Sequence, residues 1–371
     1  GSESQMALNP PQLIDADVAA ANASQAPTYP FRDGFITLTP NDINPALIQW
    51  RIQDPNQKTP IVHQFSIGPD FKLSDTMSAS VQYVGNKVRN GRRIVNLNQG
   101  RITPSGVVFP YAQYGYGTAY LQQIRTVGRT DYNALQTQIQ RRMTGGLGFT
   151  ASFTYGSAKG DFLDHLSAGG GATGNQPQDV YNLDSDYGPL EFDIKKRFVL
   201  SFIYELPAGR GRGTELKGIG RIFNDWSVNG ILSLEDGRPF TITGSNRSNT
   251  GGGHTSRANC LGDAQPSGFD KTLDKWFDTT QFADTVANTH GNCGFNTVRG
   301  PGAKNLNMSL VRNFPLPGDR RIEFRASAFN LLDWENYGFP GSSVANPTTF
   351  GRITGVRNSP REMQFAAKLY F

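Results

Sequence analysis

The sequence predicts an all-β fold: an antiparallel transmembrane β-barrel, partial, with about 10–12 strands present and long extracellular loops. Three observations carry that expectation. The final segment, Arg361-Glu362-Met363-Gln364-Phe365-Ala366-Ala367-Lys368-Leu369-Tyr370-Phe371, alternates, with Met363, Phe365, Ala367, Leu369 and Phe371 on one side of an extended strand. Strand side chains repeat every two residues, so one face is apolar and the other wet. Several further segments alternate over about ten residues, the length a tilted strand needs to cross the hydrocarbon layer. The connections between them are unequal, some of a few residues and others past thirty, as in barrels with short turns at one end and long loops at the other.

Composition agrees. Hydrophobic residues are 37% and charged residues 18% of the 371, both below the averages of soluble domains. Gly is abundant at 42, with 24 Phe and 13 Tyr. Few charges with many aromatics suit a wall that faces lipid on one side and water on the other. The net charge is +5, but no Lys/Arg block is dense enough for a nucleic-acid footprint; Arg89, Arg92 and Arg93 are diluted by Asn and Gly. No run of eighteen apolar residues exists, which excludes transmembrane helices and leaves a barrel untouched. The start, Gly1-Ser2-Glu3, shows no Met, basic region or apolar leader. Either a signal was removed or the chain is a piece of a longer one.

Taken in order, residues 1–60 read as an irregular segment interrupted by prolines, with a short helix expected within Ala-rich 16–26. Residues 61–371 read as the barrel portion. Phe65 and Ile67 alternate with Gln64 and Ser66. After the turn at 72–75, Met77, Ala79, Val81 and Tyr83 alternate with Ser78, Ser80 and Gln82. Residues 90–117 show only weak strand pieces and a Gly/Tyr/Pro loop. Strand 130–143 sets Leu135, Thr137 and Ile139 against Gln136, Gln138, Gln140 and Arg142. Thr144-Gly145-Gly146 is a short turn. Strand 147–155 carries Leu147, Phe149, Ala151, Phe153 and Tyr155 on one face. A long polar connection at about 159–192 follows. Strand 197–206 presents Phe198, Leu200, Phe202 and Tyr204, and a Gly/Arg turn at 207–220 leads to Trp226, Val228, Gly230, Leu232 and Leu234. Residues 237–302 form the longest connection and hold both cysteines. A last hairpin pairs 304–314 with 320–330, and 331–360 leads to the terminal strand. The long connections 159–192 and 237–302 are expected on the outer surface.

A half-buried strand in a soluble sandwich also alternates, so a secreted β-rich glycan- or ligand-binding protein stays open as a second reading. Strands of ten residues or more, against the usual five or six, favour the membrane. So do aromatics near strand ends, at Tyr83, Tyr155, Tyr204, Trp226 and Tyr370, where interfacial girdles sit.

The motifs add a family. Asp131-Tyr132-Asn133-Ala134-Leu135-Gln136, Asp186-Tyr187-Gly188-Pro189, Arg197-Phe198-Val199-Leu200-Ser201, Tyr204-Glu205-Leu206-Pro207 and Gly237-Arg238-Pro239-Phe240-Thr241 resemble the barrel of TonB-dependent outer-membrane receptors of the Oar-like, acidobacterial type. Arg299-Gly300-Pro301-Gly302, Phe329-Asn330-Leu331 and Phe350-Gly351-Arg352-Ile353-Thr354 continue the resemblance in order, from about residue 30 to 371. It implies a bacterial outer-membrane location, lipid contact, assembly by the barrel-assembly machinery and TonB-powered uptake of a large substrate through a plugged barrel. No plug, TonB box or carboxypeptidase-regulatory-like domain is visible, and plugged transporters use 22 strands. The chain therefore resembles the C-terminal portion of such a barrel. A small closed barrel, a passive porin, stays open because ten is an allowed strand number.

Candidate chemistry is sparse, and neither an enzyme activity nor a cofactor is expected. No Gly-x-Ser-x-Gly elbow, His-Glu-x-x-His pair or Gly-Lys-Ser/Thr phosphate loop occurs, and Gly209-Arg210-Gly211-Arg212-Gly213 reads as a turn. Cys260 and Cys293 are expected to form a disulfide in an oxidising compartment, stabilising by roughly 3.5–4 kcal/mol for a closed loop of about 34 residues. A zinc set with His254 and His290, or free thiols, stays open. Asp161, Asp164, His165, Asp184, Asp186, Glu191 and Asp193 crowd one loop; solvated charge is the first reading and Ca²⁺ the sharper one. Gln136, Gln138, Gln140 and Arg142 are expected to face the lumen. Met363, Phe365, Leu369 and Phe371 are expected to mark the terminal barrel-assembly strand.

Overall fold

The computed structural model describes residues 50–161, 176–209, 214–252, 254–318 and 320–371. The expected helix within 16–26, together with Asp164 and His165, lies outside them. Twelve strands join one sheet: β1 Trp50–Gln53, β2 Ile61–Ile67, β3 Asp70–Lys72, β4 Met77–Asn96, β5 Leu121–Thr144, β6 Leu147–Gly160, β7 Gly188–Pro189, β8 Lys196–Glu205, β9 Trp226–Glu235, β10 Ala303–Pro315, β11 Arg321–Phe329 and β12 Glu362–Tyr370. The main path runs β12-β11-β10-β9-β8-β6-β5-β4-β2, every neighbour antiparallel. Among the described residues β2 and β12 do not pair with each other, so the wall is open.

Register carries the alternation across the wall. Phe365 lies opposite Ala326, Ala326 opposite Leu310, Leu310 opposite Val228, Val228 opposite Tyr204 and Tyr204 opposite Leu147. One residue along, Gln364, Ser327, Ser309 and Asn229 make the parallel row on the other face. Because the period is two, a single register slip would turn every apolar row to the wet side. Among the described residues the apolar face has no layer over it. Phe365 is 67% exposed, Leu369 56% and Ile139 42%, and Phe153 and Phe202 are only half-buried. So much exposed apolar surface on an ordered wall fits lipid and not water.

The hydrophobic core lies elsewhere. Ile242, Ala258, Phe277, Phe282, Cys293 and Val298 cluster within the connection between β9 and β10, with Phe240, Trp276 and Phe350 packed against them. Phe277 meets Phe282 at 5.5 Å and Phe350 at 5.2 Å, both edge-to-face, an arrangement the ring quadrupoles favour.

Three differences from the sequence reading stand out. β4 continues through residues 90–96 where only weak pieces are expected, and β5 begins at Leu121 rather than 130. The continuation passes a bulge between Val88 and Arg92, where Asn90 takes a positive φ of 59°, which Asn tolerates better than most residues. Beyond it Ile94, Val95 and Asn96 are all buried, so no alternation is left to read. β1 lies inside the segment expected to be irregular and runs parallel to the start of β5, Trp50 opposite Leu121.

Candidate functional site

All connections of one end stay short or modest: β3 to β4, β5 to β6, β8 to β9 and β10 to β11. Those of the other end, β4 to β5, β6 to β8, β9 to β10 and β11 to β12, are long. Their described residues fold over the extended tops of β4 and β5 into one cap, built mainly from polar side chains.

Asp186 sits at its centre. Arg93, from the upper part of β4, donates to its Oδ2 at 2.7 Å. Arg257, from the β9–β10 connection, donates to its Oδ1. All three side chains are at least nine-tenths buried, and Asp161, at the end of β6, stands 3.6 Å from Arg93. Two guanidiniums facing two carboxylates balance charge where neither sign could be left alone. Asp193 is a second node. It accepts from the Ala158 backbone N–H at 2.7 Å and from Arg299, with Lys195 at 3.2 Å.

Side-chain amides stitch the loops further. Gln178 donates to the Gly291 carbonyl at 3.0 Å and accepts from the Arg257 N–H at 2.8 Å. Gln99 donates to the Gln178 carbonyl at 2.8 Å and accepts from the Val180 N–H at 2.6 Å. The close approach requires glycine at 291: a Cβ there would lie 1.9 Å from the Arg257 carbonyl oxygen. Tyr187 donates to Asp131 at 2.8 Å beneath the Arg129 guanidinium. Burial first, then the Asp131 carboxylate, push the Tyr187 phenol up to about 12.

Cys260 and Cys293 are joined by a disulfide with Cα atoms 4.9 Å apart. The bond consumes both thiols, so the zinc set has lost its sulfur ligands. His254 and His290 nevertheless meet, their ring centroids 5.9 Å apart. Among the described residues, Nδ1 of His290 is buried without a partner. Burial, then His290 and Arg257, press the His254 pKa down to about 4; burial also lowers that of His290.

The carboxylates read as a possible Ca²⁺ loop hold arginines instead: Asp184 takes Arg129 at 2.6 Å, and Asp186 and Asp193 take the partners above. Sequence reasoning missed Arg93, Arg257, Arg299, Gln99 and Gln178. The signal for Asp186 and Arg299 was present, since each opens one of the motifs quoted above.

On the wall, Gln136, Gln138 and Gln140 lie opposite Gln82, Ser80 and Ser78 on one side and Thr154, Ser152 and Thr150 on the other. They form a polar row on the face opposite Leu135 and Ile139. Gln140 and Arg142 also line an open cleft of about 440 Å³ at the short-turn end, with Lys72, Ser74, Asp75 and Thr76. Met363, Phe365 and Leu369 are exposed along β12, on the apolar face.

An open antiparallel wall with apolar side chains bare on one face, and long loops gathered at one end, defines a β-barrel protein of the bacterial outer membrane. The sequence matches the outer membrane beta barrel domain family over residues 1–364, and the chain belongs to that family. A search of curated proteins finds no match. Among solved structures, the chain is similar to the outer membrane transporter YddB from Escherichia coli, at 10% identity and a TM-score of 0.42 over 85% of this chain and 33% of that one. It is similar to BauA, the ferric preacinetobactin receptor from Acinetobacter baumannii, at 10% identity and 0.41 over 83% and 29%. It is also similar to the FrpB iron transporter from Neisseria meningitidis, at 10% and 0.40 over 87% and 33%. The chain spans about a third of the length of these structures.

Proposed function

We propose that the chain is the C-terminal barrel portion of a TonB-dependent outer-membrane transporter that takes up a large substrate. One observation carries the reading: β2 and β12 are unpaired with each other at the two ends of the wall. Hydrocarbon offers no hydrogen bonds to a bare strand edge, so upstream strands are needed to complete the circle. A porin closing on these strands alone would join β2 to β12. The ordered sequence motifs and the folded loop cap support the same reading.

Within it, residues 61–371 are the barrel portion, and β1 just before them joins the wall beside the start of β5. The row Gln136, Gln138, Gln140 and Arg142 faces the lumen and meets a plug supplied upstream, through which the TonB system acts. The accessible cleft at Gln140 and Arg142 supports that role. Met363, Phe365 and Leu369 on β12, with Phe371 one residue past its end, make the terminal segment engaged by the barrel-assembly machinery. The protein transports and does not catalyse.

The upstream coding sequence tests this. A plug domain and TonB box there support the reading; a signal peptide directly before residue 1 overturns it. Conductance by this chain alone in a planar bilayer would equally favour a passive porin.

A further inference from the structure

The lipid-side face of β10–β12 is not flat. β11 contributes the small residues Ala326 and Ala328, flanked by Leu310 and Met308 on β10 and by Phe365 and Met363 on β12, each directly opposite in register. The two alanines thus form the floor of a trough between two ridges. Val228, opposite Leu310 on β9, extends the lining beyond the β10 ridge. Leu331 stands at the outer end, its N–H donating to the Leu306 carbonyl at 2.8 Å. The open groove holds about 290 Å³ and presents an almost wholly apolar surface. From Ala326 to the loop end of β11 at Phe329 the trough runs roughly 10 Å along the strand.

Two cations mark its outer mouth. Arg361 directs its guanidinium to the Leu331 carbonyl at 3.4 Å, which places that charge at the end of the trough. Lys304 lies on the same face two residues beyond Leu306, is exposed, and stands opposite Leu234. Among the described residues neither makes an ion pair. Of the nearby carboxylates, Asp333 accepts from the Arg361 backbone N–H and Glu335 from the Tyr337 hydroxyl, and among the described residues neither forms an ion pair with the Lys304 or Arg361 side chain. An apolar trough on the membrane face, ending in two unpaired cations where the strands reach the loops, has the polarity of an acyl chain with an anionic head.

We propose that the trough over Ala326 and Ala328 is a docking site for a phosphorylated lipid of the outer leaflet, its acyl chain between the β10 and β12 ridges and its phosphate between Lys304 and Arg361. The site needs only the membrane placement of β10–β12 and is independent of the transport reading. The test is native mass spectrometry of the protein purified from outer membranes, with dipalmitoyl phosphatidic acid, dipalmitoyl phosphatidylcholine or glycerol 3-phosphate added. Expected is at least about tenfold greater retention of phosphatidic acid than of phosphatidylcholine, and none of glycerol 3-phosphate. The pair Lys304→Gln and Arg361→Gln should abolish the preference while keeping acyl binding. Ala326→Leu with Ala328→Leu should remove both lipids, and Ala366→Leu on the other face should not. Heat-modifiable gel mobility confirms that each variant is folded. Equal retention of the two lipids by the unaltered protein, an unchanged preference in the Gln pair, or binding of glycerol 3-phosphate overturns the proposal.

Discussion

The guanidinium of Arg93 meets the carboxylate of Asp186 at 2.7 Å across 93 residues of chain, both side chains buried. Arg257 holds the other oxygen of the same carboxylate. One acid therefore fastens the top of β4 to two separate long loops.

Asp186→Ala leaves two buried guanidiniums facing Asp161 alone. Removing one partner of a buried ionic group costs about 3–5 kcal/mol. We expect the cap to open while the wall persists. Hydrogen exchange should accelerate at residues 176–193 and 254–260 with unchanged heat-modifiable mobility; protection equal to the unaltered protein would contradict the latch.

Reduction of the Cys260–Cys293 bond, or Cys260→Ser with Cys293→Ser, should cost the β9–β10 connection roughly 3–4 kcal/mol of stability. Both cysteines abut the aromatic cluster around Phe277. Limited proteolysis with and without reductant reads the effect, as new cleavage within residues 240–298.

Acid should loosen the cap through His254. Its folded pKa of about 4 lies below the ordinary 6.5, so the opened loop binds a proton that the closed one refuses. The cap's stability is full above about pH 6.5 and falls between 6.5 and 4, by at most about 3 kcal/mol. His254→Gln should flatten this dependence, followed by tryptophan fluorescence or hydrogen exchange between pH 7 and 4.5. A slope unchanged by the substitution counts against it.

Gly291→Ala drives a Cβ into the Arg257 carbonyl, which lies 1.9 Å from the position it would take. The loop must shift, breaking the Gln178 bridge to the Gly291 carbonyl. A loss of about 1–3 kcal/mol in cap stability is expected, visible as protease sensitivity near Arg257.

Leu310→Arg places a charge in the middle of β10 on the bare apolar face and should cost about 2–4 kcal/mol in lipid. Gln138→Arg, on the opposite face, should be nearly neutral. Urea titration of the protein refolded into lipid vesicles compares them; equal costs would refute the assignment of faces.

The wall was largely legible because its information is local. The faces of Phe365, Leu310 and Tyr204 follow from a period of two within each strand, and the turn at Thr144-Gly145-Gly146 follows from its glycines. The tops of β4 and β5 were not legible. Ile94, Val95 and Asn96 are buried on both faces under loops that arrive from far along the chain, and burial on both faces erases alternation. The carboxylates were visible as residues, but nothing in their spacing showed that arginines and not a Ca²⁺ ion would meet them.

By itself the sequence determined that extended segments would alternate and that their connections would be unequal, because side-chain direction and turn chemistry depend on near neighbours alone. The tertiary structure decided the rest: that Asp186 joins Arg93 to Arg257, that Cys260 finds Cys293 while His254 meets His290 edge-on, and that the apolar cluster lies in the loops and not behind the strands. Each is a contact between residues tens of positions apart, set by which loops fold over which strand ends, and no local period carries that choice.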